Sequence, residues 1–276
     1  MAQTEPAEED LSHGMPRLGL GTWQNTDPEQ CAESVRTALE AGYRHIDTAQ
    51  AYDNEEYVGD GIAAADVDRD DVFLATKIWT TNLAHDDVLE TAKASLDRLG
   101  VDAVDLLYVH WPAGEYDPEG TLAAFDQLYD EGLIRNVGVS NFTPELLDEA
   151  RGILDAPIVA NQVECHPLLQ QDELLDYGRE HDINLVAYSP LARGAVFDVP
   201  EIQEIAEKHD ASPAQVSLAW LLQRDGVAAI PKATGEAHIR DNWGALELEL
   251  DDEDVATIDA LGEGRREVDP DFGPWN

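Results

Sequence analysis

Apolar runs of four to six residues recur along the chain and read as β-strands. They fall at residues 18–22, 44–47, 72–77, 105–110, 134–139, 158–162, 184–188 and 227–230. Between them the apolar positions switch to helical spacing. Residues 86–99 carry Val88, Leu89, Ala92, Leu96 and Leu99 on one face, with Gly100 as the stop. Proline-bearing start signals mark further helices at Asp27-Pro28, Thr143-Pro144 and Ser212-Pro213. Eight strands alternating with helices predict an α/β fold, a (β/α)8 TIM barrel, forming one domain over residues 1–276. A doubly wound sheet remains the competitor, because a strand count does not show closure.

Length agrees with the barrel: the chain has 276 residues, and such a barrel takes about 250. Hydrophobic residues make up 43%, enough for a packed core and too many for a disordered chain. No window approaches the roughly 18 apolar residues of a membrane helix. The first ten residues are acidic and lack a secretory pattern, so the expected location is the cytoplasm.

Charge changes the picture more. The 58 acids against 17 bases leave a net charge of −41, which repels nucleic-acid backbones and anionic membranes. The acids recur throughout, as in residues 66–71 and 251–254, and only Lys77, Lys93, Lys208 and Lys232 are lysines. Self-repulsion of this size is largely screened at molar salt, where the Debye length is about 3 Å. The composition therefore reads as adaptation to a salt-rich cytoplasm, with an acidic mesophile protein as the alternative. Cys31 and Cys165 build neither a disulfide framework nor a zinc site, and no metal is expected at Cys165-His166.

Candidate chemistry lies where predicted strands end, which is the catalytic rim of a barrel. Asp47 ends the second strand, Tyr52 follows in its loop, Lys77 ends the third, and His110 ends the fourth. Taken singly, each has a bland reading as packing or a solvated group. Together they suit proton delivery to a reducible carbonyl. A phenol has a pKa near 10, and a nearby ammonium is expected to lower it. Asp47 would hold Lys77, His110 would position the carbonyl oxygen, and Tyr52 would protonate it. None of these groups supplies hydride, so a nicotinamide cofactor is required.

These residues sit in motifs that resemble the aldo-keto reductases. The matches are Gly19-Leu20-Gly21-Thr22-Trp23, Arg44-His45-Ile46-Asp47-Thr48-Ala49 with Tyr52, and Thr76-Lys77-Ile78-Trp79. They continue through Val109-His110-Trp111-Pro112, Gly138-Val139-Ser140-Asn141-Phe142, residues 161–167, Ala187-Tyr188-Ser189-Pro190-Leu191 and Ile230-Pro231-Lys232. The resemblance covers about residues 14–275 and is nearest to the compact prokaryotic branch that includes 2,5-diketo-gluconate reductases. It implies reduction of aldehydes, α-ketoaldehydes or keto-sugars by a monomeric NAD(P)H-dependent enzyme, with Asp47, Tyr52, Lys77 and His110 as its catalytic tetrad. It also implies that NADPH binds Gly21, Thr22, Asp47, Ser140, Asn141 and Gln162, stacks on Tyr188, and passes Ser189 and Leu191. The adenosine end corresponds to Lys232, Ala233, Thr234, His238 and Asn242. Relatives preferring NADPH usually place arginine where this chain has His238, so NADH use stays open here.

Trp23, Trp79 and Trp111, with His110, form the expected pocket for a small carbonyl substrate. The tail from residue 263 to 276 resembles the family's loop over that pocket, and residues 1–13 form an acidic leading segment. Two other readings stand beside the reductase. One is a catalytically idle nicotinamide-binding relative with a regulatory or structural role. The other is a metal-dependent hydrolase, which would need His45, His110 and His166 to cluster with carboxylates.

Overall fold

The computed structural model describes residues 10–262 and 264–276. Its eight strands are β1 (Gly19–Gly21), β2 (His45–Asp47), β3 (Phe73–Ile78), β4 (Leu106–Val109), β5 (Val137–Ser140), β6 (Ile158–Glu164), β7 (Asn184–Tyr188) and β8 (Val227–Ala229). Neighbours pair in chain order, and every pairing is parallel. Bridges from Leu18 to Ala229 and from Gly21 to Lys232 join the last strand to the first. The doubly wound alternative requires a reversal in strand order, and none occurs among the described residues. The fold is the (β/α)8 barrel. Closure is tight at Gly21, where a Cβ would lie 2.6 Å from the Ile230 carbonyl oxygen.

The helices α1 (Pro28–Ala41), α2 (Glu55–Ala64), α3 (His85–Leu99), α4 (Pro118–Asp130), α5 (Pro144–Ile153) and α6 (Asp172–His181) follow the first six strands. Their starts use the chemistry expected of Asp and Thr caps: Asp27 accepts from the Gln30 amide, and Thr143 from that of Leu146. Two helices, α7 (Pro200–His209) and α8 (Pro213–Leu222), separate β7 from β8, with Ser212 and Gln215 forming a capping box. After β8 come α9 (Glu236–Trp243) and α10 (Asp252–Asp259). No helix among the described residues is long and apolar enough to cross a membrane.

The fifth strand starts three residues later than its apolar run. Ile134 makes only an isolated bridge to Val104, because Arg135 and Asn136 turn their side chains to Asp105. The sixth runs two residues further, to Glu164. A register shift between Val137 and Gly138 lets this longer strand stay paired.

Alternation along the strands decides what faces the barrel axis. Leu74 and Ile78 of β3 pack outward with the helices, as do Leu107 and Val109 of β4. Phe73, Ala75, Leu106 and Tyr108 pack inside the barrel. Continuing the same period of two places Lys77 and His110 on the inside, above this apolar plug. Leu11 and Met15, paired by an antiparallel bridge, belong to the same inner cluster. The start of the acidic leading segment, residues 1–9, lies outside the described residues, as does residue 263 of the tail.

Candidate active site

Asp47, Lys77 and Tyr52 meet at the C-terminal end of β2 and β3. The buried Lys77 ammonium donates to Asp47 Oδ1 and, at 2.8 Å, to the Thr48 carbonyl. It also lies 3.4 Å from Tyr52 Oη. The other Asp47 oxygen accepts a 2.7 Å bond from Gln162 Nε2 of β6. Thr22 donates to the Asp47 carbonyl at 3.0 Å, tying β1 to the same floor. The loop bearing Tyr52 is pinned by Asn54, which bonds the Thr22 and Asn25 carbonyls and accepts from Thr48 Oγ1 at 2.7 Å.

Burial dominates the ionisation of this cluster. The Tyr52 phenol is pushed well above its ordinary 10, first by desolvation and then by the Asp47 charge. The net direction is thus opposite to the lowering expected from the Lys77 ammonium: burial and the Asp47 charge outweigh it. Desolvation also lowers the Lys77 ammonium, against the pull of Asp47. His110 is held well below 6.5 by burial, with the Lys77 charge adding to the effect. The result is a protonated phenol beside a neutral imidazole. His110 Nδ1 is buried with no partner among the described residues.

A cavity of about 1120 Å³ opens above this floor. Tyr52, Asp47, His110 and all three tryptophans named above line it, while Lys77 sits beneath. Trp79 and Tyr52 present their rings nearly perpendicular to His110, with centroids at 5.0 and 5.8 Å. Gly21, Thr22, Ser140, Asn141 and Gln162 also reach the wall, as do Tyr188, Ser189, Leu191 and Lys232. A polar chain joins several of them. Tyr188 Oη donates to Asn141 Oδ1 at 2.9 Å, Asn141 Nδ2 reaches Ser140 Oγ and the His110 carbonyl, and Ser140 Oγ reaches the Gln162 carbonyl. Ala233, Thr234, His238 and Asn242 are not part of this wall. They follow Lys232 toward and into α9, with His238 exposed and Asn242 buried.

Sequence reasoning missed two parts of the cavity. Arg193 stacks over Trp23 at 4.7 Å, joining the loops after β7 and β1. Gln50 accepts from the Trp79 amide at 3.0 Å. The C-terminal tail reaches the wall at Val268. Ser189, Ala192 and Arg193 all hold positive φ near +50°, a sparsely populated conformation for such residues that concentrates at functional loops. No residue-type signal marks Ala192 or Arg193 in advance.

The cavity exceeds the roughly 300–1,000 Å³ of ordinary small-ligand sites, which leaves room for a dinucleotide and a small substrate. Its amide and hydroxyl groups, an aromatic face and an exposed lysine suit a nicotinamide dinucleotide. At Cys165-His166, the thiol donates to the Gln170 carbonyl and the imidazole contacts Glu164.

The Aldo/keto reductase family model matches residues 17–263. The chain is a member of that family. It is similar to the glyoxal reductase of Bacillus subtilis (strain 168), 42% identical over 91% of each chain. It is also similar to the methylglyoxal reductase DkgB of Escherichia coli O157:H7, at 41% identity over 93% of this chain and 97% of that one. A solved structure bearing the name 2,5-diketo-D-gluconic acid reductase B superposes with a TM-score of 0.93 at 35% identity, covering 97% of this chain and 96% of its own. This aldo-keto reductase is thus an NAD(P)H-dependent oxidoreductase acting on carbonyl compounds.

Proposed function

We propose that the enzyme reduces small aldehydes, α-ketoaldehydes or keto-sugars to alcohols, with Tyr52 as the general acid. The observation that carries this reading is Tyr52 Oη, protonated at the cavity wall and 3.4 Å from the Lys77 ammonium. Neutral His110 donates a hydrogen bond that orients the substrate carbonyl oxygen toward Tyr52. The phenol gives its proton to that oxygen as negative charge develops there. Lys77, held by Asp47, stabilises the phenolate left behind. A bound nicotinamide supplies the hydride. Ser140, Asn141 and Gln162 would hold its carboxamide end, Tyr188 would offer a stacking face, and Ser189, Leu191, Lys232, Ala233, Thr234, His238 and Asn242 would hold the rest of the dinucleotide.

Aromatic walls at Trp23, Trp79 and Trp111 favour compact substrates with some apolar surface. The relatives named for glyoxal and methylglyoxal support α-ketoaldehydes first. NADPH is the proposed cofactor, with NADH also used, because His238 offers no permanent charge for a 2′-phosphate. The protein works as a monomer in a salt-rich cytoplasm. Turnover of either cofactor with glyoxal, methylglyoxal and keto-sugars at molar KCl supports the reading. Tight cofactor binding without turnover of any of them would favour the idle relative instead.

A further inference from the structure

Glu164, the last residue of β6, has no place in the chemistry above, yet its carboxylate is fully buried with both oxygens engaged. Oε1 accepts from the Glu267 backbone amide at 2.7 Å, and Oε2 accepts from the Val268 amide at 3.0 Å. The His166 Nε2 nitrogen lies 3.0 Å from Oε1, and His166 is itself fully buried. With the ring proton on Nε2, all three contacts are donors to one carboxylate. Such charge-assisted bonds are the strong ones, and loss of one partner leaves buried groups unpaired.

The amides bound by Glu164 belong to the C-terminal tail, where that segment meets the cavity. Val268 lines the cavity wall. Further along, Phe272 and Trp275 pack against Trp111 with centroids at 5.4 and 5.7 Å, and Arg266 lies 3.7 Å over the Trp275 ring. The Arg265 backbone amide adds one bond to the Leu168 carbonyl. The tail is thus fastened to the barrel rim at Glu164 and carries aromatic rings from there to Trp111.

We infer that Glu164 is a positioning residue that latches the tail over the pocket and so sets substrate affinity and selectivity. The latch acts on the substrate side: the tail supplies wall area for substrate, whereas the proton-transfer groups sit on β2, β3 and β4. This inference rests on the carbonyl-reductase reading for its kinetic consequence, but the latch itself is measurable without turnover.

The experiment compares Glu164→Gln, Glu164→Ala and Glu267→Pro, the last removing one tail donor while leaving Glu164 intact. Hydrogen exchange of the full-length proteins should show the amides of residues 267 and 268 protected in the wild type. At residue 268, protection should fall at least tenfold in all three variants. With methylglyoxal, KM should rise about tenfold in Glu164→Ala and less in Glu164→Gln, which keeps one acceptor oxygen. Glu267→Pro should also raise KM, with kcat within about threefold throughout and cofactor Kd unchanged. Unaltered protection at residue 268, or loss of kcat with KM constant, would overturn the proposal. Absence of turnover in the wild type would instead count against the reductase reading, leaving the exchange result to judge the latch.

Discussion

Gln162 reaches Asp47 from 115 residues away in sequence and donates a 2.7 Å hydrogen bond to its Oδ2, opposite the oxygen that holds Lys77. The carboxylate is thereby fixed from two sides, and with it the ammonium beneath Tyr52. A buried ion pair of this kind is costly to break at one end, since the surviving charge is left without compensation.

Asp47→Asn should therefore destabilise the fold by about 3–5 kcal/mol, measured by urea unfolding at molar KCl. Adding Lys77→Met to it should recover part of that loss, because no buried charge then remains. A double variant less stable than the single one would contradict the pairing.

His45 gives a pH prediction. It is fully buried near the bottom of the barrel, with Nδ1 3.3 Å from the Pro16 carbonyl and its ring edge-on to Phe73. Burial lowers its pKa, so the folded protein keeps it neutral while the unfolded chain protonates below about 6.5. The unfolded state binds more protons there, and its contribution to stability is lost as pH falls from about 6.5, by at most ~1.4 kcal/mol per pH unit. Unfolding of wild type and His45→Gln between pH of about 7.5 and 5.5 checks this. The variant should lose stability less steeply; equal slopes would refute it.

His238 lies exposed on α9, beyond Lys232. Replacing it with arginine supplies a permanent charge and a bidentate donor for a 2′-phosphate. The ratio of kcat/KM for NADPH over NADH should rise about 10- to 100-fold, as expected of a charged hydrogen bond contributing about 1.5–3 kcal/mol. An unchanged ratio would remove His238 from the adenosine site.

Salt should stabilise the protein. With a net charge of −41, lowering ionic strength unscreens acid–acid repulsion, so Tm and activity should both fall from molar to low KCl. Equal melting temperatures would show that the acidic surface carries no such dependence.

The floor of the site was legible because strand parity is. Asp47, Lys77 and His110 end consecutive apolar runs, and a period of two sends them to the barrel axis together. Ionisation was not legible. Spacing shows that Lys77 lies near Tyr52, but desolvation depends on everything packed around them, and here it outweighs the ammonium. Glu164 was not legible as a tail contact beside Cys165-His166, since nothing local shows that its carboxylate faces amides 103 and 104 residues away. Met15, next to an acidic segment, gave no sign that it packs inside the barrel.

The central claim is that Tyr52 delivers the proton. The direct measurement is single-turnover reduction of methylglyoxal by wild type and Tyr52→Phe, each with its cofactor Kd determined separately. The account predicts a rate lowered by about 10²–10⁴ with cofactor Kd essentially unchanged. A variant that reduces methylglyoxal within a few-fold of the wild-type rate would contradict it.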